Sequence, residues 1–163
     1  MLNFEIDLAV VEGKVVHSKL SKVLLDTDSL VAVMSKENPL AGKSIISISD
    51  LQKEKLILRT SNSATRSLFI SQIEDKDLTL DDFNVILEID NTSAIKDLVS
   101  HNMGVAILPR SVCYNEIKEK TLVATPIQDM NMSTEINLVF TKNFENNSIL
   151  ENVMKTYREL VKR

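Results

Sequence analysis

Short apolar runs alternate with segments of helical periodicity along most of this chain. Most of the runs are continuous rather than alternating, which is typical of β-strands that are covered on both faces. Seven strands are predicted in this way, at Ile6–Val11, Leu30–Ser35, Leu56–Arg59, Val85–Ile89, Val105–Leu108, Val123–Ile127 and Ile136–Phe140. Apolar positions at helical spacing predict helices at Ala64–Glu74, at 92–103, at Ser111–Glu119 and from Ile149 to the C-terminal end.

Strands and helices alternate between residue 30 and about residue 120. This order predicts an α/β fold with a mostly parallel sheet and right-handed crossovers. The segments 12–28 and 120–135 carry the weakest signal, and we expect them to lead the chain between two lobes.

The stretch 88–109 is the most informative part of the sequence. An apolar strand ends at Asp90, and Asn91, Thr92 and Ser93 follow as residues that can cap a helix. Gly104 stands where we expect the helix to stop in a left-handed residue before the next strand. The stretch therefore predicts a βαβ unit with polar residues at the carboxyl end of its first strand, which is where open α/β sheets bind ligands.

Composition and charge exclude several classes of protein. The net charge of −4 gives no basic excess, so a standalone DNA-binding domain is not expected. The N-terminus shows no signal peptide and no apolar run is long enough to span a membrane, so we expect a cytoplasmic location. The single cysteine, Cys113, lies in an apolar setting and is expected to be buried.

Signatures of catalysis and of cofactor binding are missing. The only glycines are Gly13, Gly42 and Gly104, which cannot form a dinucleotide fingerprint or a Walker loop. His17 and His101 have no other ligand at metal-binding spacing. We therefore expect no cofactor, no metal and no catalytic residue.

Two helix starts remain as the candidate site. Thr60 and Ser61 follow one predicted strand, and Thr92 follows the next. In a parallel sheet both helix starts lie along one edge, where free N–H groups and hydroxyls suit a small polar or anionic ligand. The alternative is that these residues only cap their helices.

Four segments carry a resemblance to the effector-binding (substrate-binding) domain of LysR-type transcriptional regulators. They occur in the family's order as IDLAVVEG, SLVAVMSKENPLAG, RTSNSATR and the block 88–109. Departures from the family pattern are Asn38 for a common histidine, Asn62 and Ala64 for two glycines, and Asn102 for the first glycine of the last block.

The resemblance implies a periplasmic-binding-protein-like α/β fold with two Rossmann-like lobes and an effector bound between them. Residues 27–120 would form a complete second lobe, and residues 1–26 and 121–163 an incomplete first lobe. The family's effector-contacting turn matches Ser63 and Thr65. With the residues of the two helix starts added, the effector-binding residues expected are Thr60, Ser61, Ser63, Thr65 and Thr92. The family arginine at Arg66 is expected to be structural.

The resemblance also implies a non-catalytic regulatory domain that forms homo-oligomers. DNA would be contacted only through an N-terminal helix-turn-helix that this sequence does not contain, and no membrane partner is expected. Because the first lobe would be incomplete, we expect effector binding by this chain to be weak or absent. The alternatives are a solute-binding protein that serves transport and an enzyme on the same fold.

Overall fold

The computed structural model describes residues 6–144 and 147–161 of the 163-residue chain. These residues form two compact units: unit 1 contains the described residues up to Asp28 and from Thr134 onward, and unit 2 contains Ser29–Ser133. The elements are β1 (Leu8–Glu12), β2 (Leu20–Ser35), α1 (Ile48–Leu51), β3 (Lys55–Leu58), α2 (Ala64–Glu74), β4 (Asn84–Glu88), α3 (Thr92–Ser100), β5 (Val105–Pro109), α4 (Tyr114–Lys118), β6 (Leu122–Thr125), β7 (Ser133–Thr141) and α5 (Asn147–Val161).

Unit 2 is built around a sheet with the strand order β6-β2-β5-β3-β4. The expected parallel arrangement is confirmed for β5, β3 and β4, which run in the same direction. The second half of β2 runs antiparallel to both β5 and β6, so the sheet is mixed. This strand is the one that enters unit 2 from unit 1.

The central strands of this sheet, β5 and the second half of β2, are buried on both faces, which explains their continuous apolar runs, whereas the edge strand β4 is largely exposed. Successive residues of β5 belong to two different clusters: Ile107 packs with Phe69 of α2, whereas Leu108 packs with Ile95 of α3. Cys113 belongs to the second cluster and is fully buried, as the sequence predicts. Each face of the sheet therefore has its own helix, and both helices are anchored by apolar contacts.

Unit 1 contains β1, β7, the first half of β2 and α5. β1 pairs with β7 in antiparallel register, from Leu8 opposite Phe140 to Glu12 opposite Ile136, and β7 lies next to β2. No strand is predicted within 12–28, the segment with one of the weakest signals in the sequence, whereas β2 begins at Leu20. The charged residues Lys22 and Asp26 interrupt the apolar pattern of this strand half.

The division of the chain differs from the predicted one at its second boundary. We expected the return to the first lobe near residue 121, but residues 121–133 lie in unit 2. The reason is the strand β6, which pairs with β2 from Ala32 opposite Thr125 to Ser35 opposite Leu122. Residues 27 and 28 lie in unit 1 rather than in unit 2.

The expectation that α3 stops in a left-handed residue at Gly104 is wrong. The left-handed residue is Asn102, with φ of 55°, and not Gly104. The N–H of Met103 donates to the carbonyl of Leu98 and the N–H of Asn102 to that of Val99, which is a Schellman motif. Gly104 is required for a different reason, since a Cβ atom there would lie 2.6 Å from the carbonyl oxygen of Lys55.

Candidate functional site

The starts of α2 and α3 lie at one edge of the sheet of unit 2. β3 and β4 are parallel neighbours with Leu58 opposite Glu88, and the N–H of Ile89 donates to the carbonyl of Leu58 over 3.0 Å. Because α2 follows β3 and α3 follows β4, both helix starts stand outside the carboxyl ends of these strands, as predicted. We call this part of unit 2 the carboxyl edge.

A charged contact joins the two segments that lead into these helices. The Arg59 guanidinium lies 2.7 Å from Asp90 Oδ1, and the Thr60 hydroxyl donates to the same oxygen over 3.4 Å. The hydrogen bond and the positive charge of Arg59 lower the pKa of Asp90 below its ordinary value. Of the predicted site residues, Thr60 is therefore already engaged in a hydrogen bond within the protein.

A second arginine fixes the start of α2 to β4. Arg66 forms an ion pair with Glu88, and it also donates to the carbonyl oxygen of Arg59 over 3.3 Å. The Arg66 side chain is only 11% exposed. These contacts agree with the structural role that we expected for Arg66. Arg59, Glu88 and Asp90 are not among the predicted site residues. The signal that could have found them is their position, since each stands at or directly after the end of a parallel strand.

The start of α3 is closed by its own cap. The Asn91 side chain accepts hydrogen bonds from the N–H groups of Ser93 and Ala94, over 2.9 and 3.1 Å. These two donors are therefore satisfied within the protein. Thr92 is the first residue of the helix and is half-buried.

The start of α2 is open by comparison. Its N-cap residue is Ser63, which is 9% exposed and whose hydroxyl makes no capping hydrogen bond. The N–H of Ser67 donates to the carbonyl of Ser63, but no described residue supplies an acceptor to the N–H groups of Ala64, Thr65 and Arg66. The first turn of α2 also contains no acidic residue. This end of the helix thus combines free donors with the positive end of the helix dipole.

The remaining predicted residues differ in their surroundings. Ser61 is exposed in the turn before α2. Thr65 is 4% exposed and lies on the buried face of α2 together with Phe69 and Ile73. The structure therefore brings the two predicted helix starts to one edge, but it distinguishes an open start at α2 from a closed start at α3.

Other kinds of site find no support in the part of the chain that is described. The residues 6–144 and 147–161 hold no group of three or more histidine, cysteine, aspartate or glutamate side chains that could bind a metal ion. Every helix within these ranges is too short or too polar to span a bilayer.

Fold and site together define an α/β ligand-binding domain. The family model of the LysR substrate binding domain matches residues 1–162, so the chain belongs to this family. It has the periplasmic-binding-protein-like fold and is a regulatory domain rather than an enzyme.

Relatives and solved structures agree with this assignment. An uncharacterised HTH-type transcriptional regulator of Methanocaldococcus jannaschii is 26% identical over 145 residues, which cover 89% of this chain and 49% of that protein. The regulatory domain of CcmR from Synechocystis, in complex with 2-PG, superimposes with a TM-score of 0.82 at 24% identity and covers 96% of this chain and 76% of that one. The effector binding domain of QuiR in complex with shikimate gives a TM-score of 0.74 at 21% identity, and covers 96% and 71% of the two chains. The chain spans about half the length of the curated relatives it matches.

Proposed function

We propose that this chain senses a small anionic effector, which binds at the start of α2 through the free N–H groups of Ala64, Thr65 and Arg66 and the hydroxyl of Ser63. The single observation that supports this site most is the difference between the two helix starts. At α3 the side chain of Asn91 already occupies the donors, whereas at α2 no described side chain does so. An anion at α2 would be stabilised by these donors and by the helix dipole.

The contacts around α2 support a preorganised site. The ion pair of Arg66 with Glu88 holds the first turn of the helix against β4, and the contacts of Asp90 hold the turn before it. A ligand would therefore find donors whose positions are already fixed, which lowers the entropic cost of binding. Among the predicted effector-binding residues, Ser63 and Thr65 belong to the open helix start, and Ser61 lies exposed beside it.

The relatives support the regulatory part of the proposal. The CcmR regulatory domain was solved with 2-PG and the QuiR domain with shikimate, so two structural neighbours hold a small-molecule ligand. We propose that the present chain also binds a small molecule and that it belongs to a cytoplasmic, homo-oligomeric regulator of transcription. DNA would be contacted by a helix-turn-helix region of the kind named in its relatives, and not by the residues described above.

A titration followed by NMR tests the site. Shikimate and sulfate are added separately to the ¹⁵N-labelled chain, because amide shifts detect even weak binding. We expect the amide signals of Ala64, Thr65 and Arg66 to move, and those of Ser93 and Ala94 to stay in place. Shifts centred on α3, or no shift with either probe at high concentration, contradict the proposal.

A pair of matched variants separates binding from helix stability. Ser63→Ala removes the hydroxyl of the open helix start, and Ser93→Ala removes a hydroxyl from the closed one. We expect Ser63→Ala to raise the Kd read from the α2 amides at least about tenfold, since a hydrogen bond to a charged ligand contributes roughly 1.5–3 kcal/mol. Ser93→Ala should leave the response unchanged. Equal responses of the two variants would exclude the hydroxyl of Ser63 from the site.

A further inference from the structure

A carboxylate lies beside the open helix start of α2. Asp90 follows β4, and its side chain is 75% exposed, whereas that of its partner Arg59 is 21% exposed. The Arg59 guanidinium and the Thr60 hydroxyl both donate to Oδ1 of Asp90, and no described residue donates to Oδ2. Because each oxygen of a carboxylate can accept hydrogen bonds, Asp90 presents a free acceptor at the carboxyl edge.

The contacts of Oδ1 fix the direction of this free acceptor. An exposed side chain that binds a ligand normally loses rotamer freedom, which costs free energy. Asp90 is already held in one orientation by Arg59 over 2.7 Å and by Thr60 over 3.4 Å. The hydrogen bond from Arg59 and its positive charge also lower the pKa of Asp90. At neutral pH Asp90 is therefore ionised, so its free oxygen can only accept a hydrogen bond.

Asp90 and the start of α2 are close enough for one small molecule to contact both. The N–H of Ser63 donates to the carbonyl of Thr60 over 3.0 Å, which closes a four-residue turn, so the Cα atoms of these two residues lie within about 7 Å of each other. The Thr60 hydroxyl in turn contacts Asp90. All three residues belong to unit 2. A small ring with two polar substituents spans a distance of this order.

The two ends of this site require different groups on the ligand. The free N–H groups of α2 suit an anionic oxygen, and so does the hydroxyl of Ser63, which is 9% exposed and makes no capping bond. A second anionic oxygen beside Asp90 would be repelled, whereas a hydrogen-bond donor is favoured there. Because Arg59 already balances the charge of Asp90, this donor need not be a cation and a hydroxyl group is sufficient.

We propose that the effector is a hydroxylated carboxylic acid, with its carboxylate on the free N–H groups of α2 and a hydroxyl group that donates to Oδ2 of Asp90. This inference rests on the proposed function, which places the anionic group of the effector at α2, and it adds the class of effector and the residue that selects it. An acid without hydroxyl groups displaces water from Asp90 and offers no donor in return, so it binds more weakly.

Two ligands that differ only in their hydroxyl groups test the class of effector. Shikimate and cyclohex-1-ene-1-carboxylate share the ring, the double bond and the carboxylate, but the second has no hydroxyl group. Each is titrated into the ¹⁵N-labelled chain, and the Kd is read from the amide signals of Ala64, Thr65 and Arg66. The Kd should be at least about tenfold lower for shikimate, because a hydrogen bond to an ionised group is among the stronger ones in proteins. Equal values would overturn the class of effector and leave the anion site at α2 in place.

The variant Asp90→Asn tests the selecting residue. Its amide keeps one oxygen for Arg59 and places an NH₂ group where the free acceptor was, so the preference for shikimate should disappear, while the Kd of cyclohex-1-ene-1-carboxylate should not rise. Asp81→Asn is the matched control, because it removes the same charge from an exposed residue in the turn before β4, and it should keep the preference. A tenfold preference that persists in Asp90→Asn would overturn the role of Asp90. If neither ligand moves the α2 amides of the wild-type chain, the proposed function fails and this inference fails with it.

Discussion

Replacing Gly104 by alanine tests the reason that the structure gives for this glycine. A Cβ atom at position 104 would lie 2.6 Å from the carbonyl oxygen of Lys55 and 3.3 Å from Cγ1 of Ile57, both on the neighbouring strand β3. Ordinary contact begins at 3.4 Å, so the methyl group cannot be accommodated without a shift of the backbone. The obstacle is a strand carbonyl and not the end of a flexible side chain, which makes relief of the clash costly.

The expected loss of stability follows from this geometry. Overpacking of a buried site costs about 1–3 kcal/mol, and the rigidity of the β3–β5 pair favours the upper half of that range. A glycine-to-alanine change at an unstrained position has the opposite sign, because it stabilises by roughly 0.4–1 kcal/mol through the unfolded state. A loss of stability in Gly104→Ala therefore indicates close packing at this position, whereas a gain indicates that an alanine fits there.

Urea unfolding of two variants provides the measurement. Gly104→Ala should lower the free energy of unfolding by about 2 kcal/mol, which corresponds to a Tm lower by roughly 4–8 °C for a chain of this size. Gly42→Ala is the matched control, because a Cβ atom there would meet nothing within 4 Å. If Gly104→Ala is as stable as Gly42→Ala, the close approach of β3 and β5 at this position is refuted.

Three further predictions concern helix ends and one ion pair. Asn91→Ala should lower the free energy of unfolding, measured with urea, by about 1 kcal/mol because it removes the cap of α3. Ser63→Ala should change it much less, because the Ser63 hydroxyl makes no capping bond. Equal losses in the two variants would contradict this difference. Lys96→Met should lower the free energy of unfolding by about 1 kcal/mol at neutral pH, because it removes a partly exposed ion pair. Lys96 lowers the pKa of Glu116, so the ion pair stabilises the folded protein fully above the ordinary pKa of 4.5. This stabilisation is lost as the pH falls through the lower pKa of the folded state. The urea unfolding curves of wild type and variant should therefore converge in acid. Asn102→Ala should destabilise the protein by about 1 kcal/mol, because alanine disfavours a φ of 55°. Asn102→Gly should not, because glycine adopts this φ freely. Thermal unfolding of the two variants checks the difference.

The apolar pattern was sufficient to predict the strands of unit 2. A strand that is covered on both faces must be apolar at every position, and such runs as Val105–Leu108 are visible without any alignment. The first half of β2 was missed because Lys22 and Asp26 interrupt its pattern. The second domain boundary was missed because pairing between β6 and β2 is a long-range contact, which local periodicity does not encode.

The candidate site was predictable in position but not in detail. That both helix starts share one edge follows from the strand–helix order and from parallel pairing, and the structure places them there. Both starts offer similar residues, Ser63 before one helix and Asn91 before the other, and each residue type can cap. Which of them caps depends on the direction of a single side chain, and the local sequence pattern does not encode that direction.

With the effector site that we propose at α2, the asymmetry between the helix starts would let one edge combine stability with binding. At α3 the cap of Asn91 satisfies the donors, so this helix is stable without a ligand. At α2 the same kind of donors is left free, and the cost is offset by the ion pair of Arg66 with Glu88 and by the packing of Phe69 and Ile73. An anion that reaches α2 would replace the missing cap and stabilise the folded protein in proportion to its affinity. In the proposed site, the free energy that a capping side chain contributes at α3 would come from the ligand at α2.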